Sequence, residues 1–427
     1  MNRFVALMLL LCFFAMSAWT CIRAVPNLPA SLPAGVVEWD DTGSVAMARG
    51  MRDVPYLSTF MPALRAGLGQ RLQNGVYVTD TMLIEIFEEP DYVKIGNNTE
   101  MLRRLVDMLI DRYAADLDAN KYGAKRIPVY LMLVPTAGSI KSQELLPYTY
   151  QVDQKQLINT IYYQSDLPGA PNLNSVRAYE ALERARDEYI YYRTDSRLTG
   201  LGGYYLYQDL LSTMRLTPES LGRFQVTHVD HSYKGALASR AYSNHLKPDL
   251  ISVYNYIDAD IEYRTIHFGE EERRYYDGLF PLHKLRLGEA TDVILGGVSP
   301  RIDIRSSTPY DETLLILTDR TVQSYIGFLA LHFRQITILD INTIDQTQMQ
   351  DVDVMGYDRI LVSLSLDTYA HSDNTLEALE LLYYRVIDPA LSRPEDLIPL
   401  SDEPVAMMDV PAEDGADAHT MTATSPP

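Results

Sequence analysis

Residues 189–208 read YIYYRTDSRLTGLGGYYLYQ. A short strand-like run rich in Tyr and Ile ends at Asp195, and Thr199–Gly203 then turn the chain into a helix that continues through Leu211. An acidic residue at a switch from strand to helix lies where open α/β folds place their ligands. The stretch therefore predicts both an α/β fold and the position of its site.

Strand and helix patterns alternate on either side of this stretch. Ile127–Pro135 is a continuous apolar run of strand length, which is typical of a strand covered on both faces. Similar runs predict further strands at Leu314–Thr318, Ile336–Leu339 and Arg359–Leu364. Apolar residues at helical spacing predict helices at Asn97–Asp118, with Asn98 and Thr99 as its cap, and at Gln154–Gln164, Ser175–Glu188, Val322–Phe333 and Thr375–Ile387. The pattern indicates a doubly wound α/β body.

Two stretches favour β-structure without alternating helices. From Asn74, the sequence NGVYVTDTMLIEIF combines Asn-Gly turn residues with alternating apolar positions, so it predicts a hairpin. Phe224–Gly297 contains several short alternating runs between polar turns. We expect this region to be a β-rich insertion in the α/β body.

The two ends of the chain differ from the body in composition. Met1–Ile22 has Arg3 followed by an apolar run, as a secretory signal does. Three fates remain open for this segment, namely a cleaved signal peptide, an uncleaved membrane anchor, or a lipoprotein signal processed at Cys21. All three place the body outside the cytoplasm. Residues 23–50 are interpreted as a linker, 51–400 as the folded body with an amphipathic helix at Val54–Gln70, and 401–427 as a disordered acidic tail.

Charge and cysteine content exclude several classes of function. The formal net charge of −20 argues against a nucleic-acid partner, because binding to phosphates depends on Lys and Arg. The two cysteines, Cys12 and Cys21, both lie in the N-terminal apolar segment, so the exported body has no disulfide and no Cys-based metal site. His228–His231 is interpreted as a surface loop, and Asp258, Asp260 and Glu262 as a solvated strand face, so no metal or other cofactor is expected.

The opening stretch closely resembles the signature of the DHHW family, in which Tyr-Tyr-Arg-Thr-Asp-His-His-Trp-Thr precedes a helix. Tyr191–Asp195 and Thr199 match this signature, whereas Ser196, Arg197 and Leu198 stand where the family has His, His and Trp. The resemblance spans about Gly75 to Ile344. It implies a three-layer, flavodoxin-like SGNH hydrolase fold, in the group that includes the alginate O-acetyltransferases.

Two further segments carry the resemblance. In Leu314–Ala330, Asp319 matches a family Asp, but Arg320 stands where the family has its nucleophilic Ser. Ser324 lies one helical turn further, where the family also has a Ser that is not the nucleophile. LGGVSP at Leu295–Pro300 resembles the family's Gly-Gly-Asn-His-Pro. It keeps Gly296 and Gly297, but Val298 replaces the Asn that would be an oxyanion donor and Ser299 replaces the His.

These replacements bear directly on catalysis. Arg197 occupies the position of the family's base, and a guanidinium stays protonated, so it cannot accept a proton. We therefore expect a non-catalytic member in which Asp195 is retained and Asp195, Arg197, Asp319, Arg320 and the Gly296–Ser299 loop form a ligand-binding cleft. Two roles are open for the two arginines. They could bind an anionic sugar or acyl group, or they could pair with Asp195 and Asp319 and so close the cleft in which the family's catalytic residues lie.

The resemblance points to O-acetylation of cell-envelope or exported polysaccharide. The expected partners are a polysaccharide or a membrane-bound O-acyltransferase. The expected localisation is extracytoplasmic, as a secreted protein or one anchored at the outer face of the membrane. Two alternatives stay open, an active O-acetyltransferase or acetylesterase and an envelope scaffold protein.

Overall fold

The computed structural model describes residues 71–387, except 120–123, 147, 148, 150, 166–171, 242–245, 270, 271, 287–289 and 350. The predicted N-terminal segment, the linker, the helix at Val54–Gln70 and the acidic tail at 401–427 lie outside the described residues. Within the described residues, no helix combines the length and the apolar character needed to span a membrane.

Strands and helices follow one another in the order that the sequence patterns indicate. In chain order they are β1 (Leu72–Gln73), β2 (Val76–Val78), β3 (Leu83–Glu85), α1 (Tyr92–Asp118), β4 (Val129–Val134), α2 (Ala137–Ile140), α3 (Gln154–Ser165), β5 (Leu173–Ser175), α4 (Ala178–Arg184), α5 (Gly200–Thr213), β6 (Phe224–Tyr233), α6 (Ala236–Arg240), β7 (Asp249–Tyr256), β8 (Tyr263–Phe268), β9 (Arg273–Asp277), β10 (Arg301–Ser306), β11 (Thr313–Thr318), α7 (Val322–Leu329), β12 (Gln335–Asp340), α8 (Gln346–Met349), β13 (Arg359–Ser365), α9 (Leu366–His371) and α10 (Asn374–Ile387).

Five parallel strands form one side of the eight-stranded main sheet, starting from its β5 edge, in the spatial order β5-β4-β13-β11-β12. If β11 is counted first, and β12, β13, β4 and β5 follow, the order is 2-1-3-4-5, which is the flavodoxin-like arrangement. The chain is therefore a circular permutation of that arrangement. Its topological switch point lies between β11 and β13.

The helices form two layers. The connection from β4 to β5 through α3 and the connection from β11 to β12 through α7 run in opposite directions across the sheet. Parallel crossovers are right-handed, so opposite directions place the two helices on opposite faces. The packing agrees, because α1 contacts α3, α9 and α10, whereas α5 contacts α4 and α7. The predicted three-layer α/β fold is confirmed.

The buried parallel strands were predicted from apolar runs, and the reason is visible in the core. Every residue of Val129–Val134 is buried, as is every residue from Leu314 to Thr318. A strand covered by a helix layer on each face has no solvent side, so its apolar residues do not alternate with polar ones.

The region predicted as a β-rich insertion contains β6–β9. β8 and β9 extend the main sheet as antiparallel strands beyond β10, and β6 pairs with β7 in a separate two-stranded ribbon. The Asn74–Gly75 pair forms the predicted hairpin turn between β1 and β2. Both residues have positive φ angles, 50° and 74°, as a two-residue hairpin of this kind requires.

Two predicted helix starts were wrong. Asn98 and Thr99 do not cap α1, because the helix starts earlier and Asp91 accepts hydrogen bonds from the amides of Val93 and Lys94. The helix predicted at Ser175–Glu188 is confined to Ala178–Arg184, because Leu173–Ser175 pairs with β4 as the edge strand β5.

Candidate functional site

A cleft of about 700 Å³ opens at the carboxyl ends of the parallel strands. The residues that line it follow four of these strands: Pro135 and Thr136 after β4, Asp319 and Arg320 after β11, Asn342 after β12, and Ser365 at the end of β13. Open α/β sheets bind ligands at this edge, next to the switch point. The fold therefore places a ligand site here.

The segment between α4 and α5 forms one wall of the cleft, but it is not the strand predicted for Tyr189–Asp195. Its one ladder contact is an isolated bridge between Tyr191 and Leu198. The amides of Arg193 and Thr194 donate to the fully buried carboxylate of Asp249, at 2.7 and 2.8 Å, and so cannot join a sheet. Helix α5 begins as predicted, capped by the Thr199 hydroxyl, which accepts from the amide of Gly202.

Arg197 and Asp195 form a nearly buried ion pair in the cleft. Arg197 Nε lies 3.0 Å from Asp195 Oδ1 and Nη2 lies 2.8 Å from Oδ2, while the amide of Arg197 also donates to Oδ1. The side chains are 19% and 3% exposed, respectively. The remaining Arg197 nitrogen, Nη1, donates to the Thr291 hydroxyl at 3.1 Å, and Nη2 also contacts Tyr233 Oη. All three guanidinium nitrogens therefore have protein partners.

The environment of Asp195 keeps its carboxyl group ionised. Burial by itself would raise the pKa, but the hydrogen bonds and charge of Arg197, with a hydrogen bond from the Tyr233 hydroxyl, lower the pKa below its ordinary value of 3.8. Burial raises the pKa of Tyr233 itself, so its phenol stays protonated and donates to Asp195. A carboxylate with such a depressed pKa is a weak proton acceptor.

Asp319 and Arg320 line the same cleft, at the carboxyl end of β11. The Asp319 carboxylate is buried and accepts from the amides of Thr321 and Ser365, at 2.8 and 2.9 Å, and from the Thr368 hydroxyl at 2.9 Å. It thus joins the ends of β11 and β13 across the switch point. Arg320, by contrast, is exposed.

The glycine-containing loop, Gly296–Ser299, is not part of the lining of the cleft. Gly296, Gly297, Val298 and Ser299 are not among the described residues that line the cleft. Ser299 donates to the carbonyl of Phe268 on β8 at 3.1 Å, and Val298 is 39% exposed. Leu295, Gly296 and Gly297 all have positive φ angles, so the chain turns sharply at these residues.

No catalytic pair of serine and histidine is present among the described residues that line the cleft. Five serines do line it: Ser196, Ser232, Ser239, Ser324 and Ser365. Histidine and cysteine are absent from that lining. Ser324, the serine nearest in sequence to the family's nucleophile position, donates to the carbonyl of Thr321 at 2.8 Å.

The candidate metal-binding residues do not form a cluster. His228 and His231 lie exposed on strand β6, not in the predicted loop, and His228 contacts the Ser252 hydroxyl at 2.8 Å. Asp258, Asp260 and Glu262 lie in the connection between β7 and β8, not on a strand. Over the described part of the chain, no three His, Cys, Asp or Glu side chains are grouped as a metal site.

Sequence reasoning did not identify several residues that complete the site. Tyr233 and Thr291 hold the guanidinium of Arg197, and Ser365 and Thr368 hold Asp319. The segment Tyr233-Lys234-Gly235 also resembles a segment of the DHHW family, and this resemblance could have indicated that Tyr233 belongs to the site. Thr291, Ser365 and Thr368 carry no comparable signal, because they reach the cleft only through tertiary packing.

Comparison with known proteins gives a consistent result. Residues 96–336, just over half of the chain, match the family model described as DHHW protein. No curated protein matches the chain. Among solved structures, a DHHW family protein from Eubacterium siraeum is similar, with 20% identity and a TM-score of 0.56 over 72% of this chain and 96% of the other. PatB1 of Bacillus cereus is also similar, with 15% identity and a TM-score of 0.56 over 70% of this chain and 98% of the other. The structure of PatB1 with a sulfonyl adduct has 16% identity and a TM-score of 0.54 over 70% of this chain and 97% of the other. With the strand order, these similarities confirm the flavodoxin-like SGNH fold.

Proposed function

Because the chain belongs to the DHHW family, we propose that it is an exported, non-catalytic member that binds a glycan of the cell envelope or of an exported polysaccharide. The family's association with polysaccharide O-acetylation suggests that the glycan is a substrate or product of acetylation elsewhere. The observation that carries the proposal is the pairing of Arg197 with Asp195, at 3.0 and 2.8 Å, where a serine enzyme needs an imidazole.

Acyl transfer by a serine requires an activated hydroxyl and a group that accepts its proton. In this cleft the position of the base holds a guanidinium, which cannot accept a proton. The position of the nucleophile holds Arg320, which has no hydroxyl. Both carboxylate oxygens of the retained acid, Asp195, already accept hydrogen bonds from Arg197 or Tyr233. Asp195 is therefore not free to orient a histidine from another part of the chain.

The cleft keeps the properties of a binding site. Its volume of about 700 Å³ suits several sugar units, and its lining includes hydroxyl, amide and charged side chains. Arg320 is exposed at the edge of the cleft, and an Arg side chain is suited to bidentate contact with a carboxylate or phosphate. Uronate-bearing glycans are therefore the first ligands to test.

The experiment measures binding and turnover on the same material. O-acetylated oligomannuronate is titrated into the full-length protein by calorimetry, and its acetyl content is then followed by mass spectrometry. We expect binding that Arg320→Ser weakens about fivefold or more, with acetyl groups intact. Arg334→Ser, which removes a 58% exposed arginine outside the cleft, is the matched control and should bind like wild type.

Each component of the proposal has its own contradicting result. Equal affinity of wild type and Arg320→Ser would overturn the cleft as the glycan site. Protein-dependent loss of acetyl groups would overturn the non-catalytic assignment and favour an active acetylesterase.

A further inference from the structure

A second, smaller pocket lies between the β6–β7 ribbon, the main sheet and helix α7. It has a volume of about 250 Å³, and no residue lines both it and the cleft. The residues that line it are mainly aromatic or small, and we call it the tyrosine pocket: Tyr254, Asn255, Tyr256, Ala259, Asp260, Ile261, Tyr263, Gly278, Leu279, Phe280 and Gly327. Drug-sized ligands fill pockets of about 300 Å³ and more, so this one suits a single small ring.

The aromatic walls of the tyrosine pocket are held by packing. Tyr254 packs on Phe328, with ring centroids 5.0 Å apart, and Tyr256 packs on Phe224, with centroids 5.5 Å apart. Phe280 lies against Gly327, where a Cβ atom would come within 2.8 Å of the ring. Because packing already holds these rings in place, a ligand that binds against them causes little further loss of side-chain entropy.

Polar groups also line the tyrosine pocket, and their hydrogen-bonding capacity is unused by the protein. Among the described residues, no hydrogen bond or ion pair engages the side-chain amide of Asn255, the carboxylate of Asp260 or the phenolic hydroxyls of Tyr254, Tyr256 and Tyr263. Aromatic faces combined with free donors and acceptors match a sugar ring, which has apolar C–H faces and a rim of hydroxyls.

The charge of the lining selects among sugars. Asp260 is the one carboxylate among the residues that line the pocket, and neither Lys nor Arg lines it. An anionic sugar would be repelled by the Asp260 carboxylate, and this repulsion is stronger where water is excluded. A neutral sugar can instead donate its hydroxyl hydrogens to Asp260, in charge-assisted hydrogen bonds.

We propose that the tyrosine pocket binds one neutral pyranose unit of a glycan. The assignment deepens the proposed function, on which it rests for the class of ligand. A position beside the cleft supports it, because a Cβ atom on Gly200, which lines the cleft, would lie 2.4 Å from the ring of Tyr254. Ser324 of the cleft and Gly327 of the pocket are also within one turn of α7. The cleft and the tyrosine pocket are therefore adjacent.

The test blocks the pocket without disturbing the core. Ala259 and Asp260 are both exposed, so Ala259→Trp fills the pocket and Asp260→Ala removes its acceptor at little cost to stability. The matched controls are Ala115→Trp and Asp111→Ala on the exposed face of α1. Full-length proteins are titrated by calorimetry with hexasaccharides of glucose, mannose and N-acetylglucosamine, and with hexamannuronate.

We expect at least one neutral hexasaccharide to bind. Ala259→Trp and Asp260→Ala should weaken this binding about tenfold, and the two controls should change it less than about twofold. Failure of every neutral hexasaccharide to bind, or equal binding to wild type and Ala259→Trp, overturns the assignment. Loss of hexamannuronate binding in Ala259→Trp with retention of neutral binding overturns it as well.

The outcome is separable from that of the proposed function. Arg320→Ser lies in the cleft and should leave the effect of Ala259→Trp on neutral binding unchanged. If the wild-type protein hydrolyses acetyl esters, the non-catalytic assignment fails while the tenfold effect of Ala259→Trp persists. If Ala259→Trp has no effect, the pocket assignment fails whatever the cleft binds.

Discussion

The guanidinium of Arg197 contacts both oxygens of the Asp195 carboxylate, two residues earlier in the chain, at 3.0 and 2.8 Å. This paired contact uses the carboxylate that the family's catalytic machinery requires. The pair also affects stability, because removing one partner of a nearly buried ion pair leaves the other charge buried without compensation, which is strongly destabilising.

Arg197→Gln should destabilise the protein by about 3 kcal/mol at pH 7, because it leaves the Asp195 carboxylate buried without its cation. The wild-type pKa of Asp195 is below 3.8, so the stabilisation from the pair is present above that pH and is lost as the pH falls through the folded pKa. In the variant, Asp195 can take up a proton at higher pH. The difference between the two proteins should therefore shrink between pH 7 and pH 4.5.

Urea unfolding at the two pH values measures this difference. Arg184→Gln, which removes a 66% exposed arginine paired with Asp209, is the matched control and should cost less than about 1 kcal/mol. A loss in Arg197→Gln no larger than in the control would show that the pair is not buried as described.

Asp249→Asn should destabilise the protein by about 3 kcal/mol. The Asp249 carboxylate is fully buried and accepts from the amides of Arg193 and Thr194 and from the hydroxyls of Tyr189 and Thr194. An amide group turns one acceptor into a donor, so some of these donors lose their partner. Hydrogen exchange at the Thr194 amide should accelerate together with the loss of stability, whereas Asp373→Asn, at a 79% exposed carboxylate, should change neither.

Gly203→Ala should destabilise the protein by about 3 kcal/mol or prevent folding. A Cβ atom at this position would lie 1.9 Å from the carbonyl oxygen of Ser324, where α5 and α7 meet backbone to backbone. Gly222→Ala is the matched control, because a Cβ atom there meets nothing within 4 Å. Thermal unfolding of both variants tests the contact, and an equally small shift in the two would contradict it.

The fold could be predicted from the sequence wherever burial leaves a local pattern. β4 and β11–β13 are covered on both faces, so their apolar runs stand out. The Asn74–Gly75 hairpin turn was predictable for a different reason, since its positive φ angles favour those residue types. The permuted strand order could not be predicted from a local pattern, because the position of β13 between β4 and β11 depends on pairing between segments that are distant in the sequence.

The site was less predictable than the fold. The motif placed Asp195, Arg197, Asp319 and Arg320 in one cleft, because each follows a recognisable pattern. The same reasoning placed Val298 and Ser299 there, although Ser299 instead bonds to Phe268 on β8. The strand predicted at Tyr189–Asp195 was wrong because the amides of Arg193 and Thr194 donate to the side chain of Asp249, 56 and 55 residues away, and no local pattern reveals such a contact.

The proposed function requires that the cleft carries out no acyl transfer. The most direct measurement treats the full-length protein with a serine-directed fluorophosphonate, with an active serine esterase as positive control, and follows p-nitrophenyl acetate hydrolysis in parallel. We expect no stoichiometric label and no hydrolysis above the rate in buffer, because the described residues that line the cleft include no histidine. Stoichiometric labelling of one cleft serine, with ester hydrolysis that is lost when that serine becomes alanine, would contradict the claim.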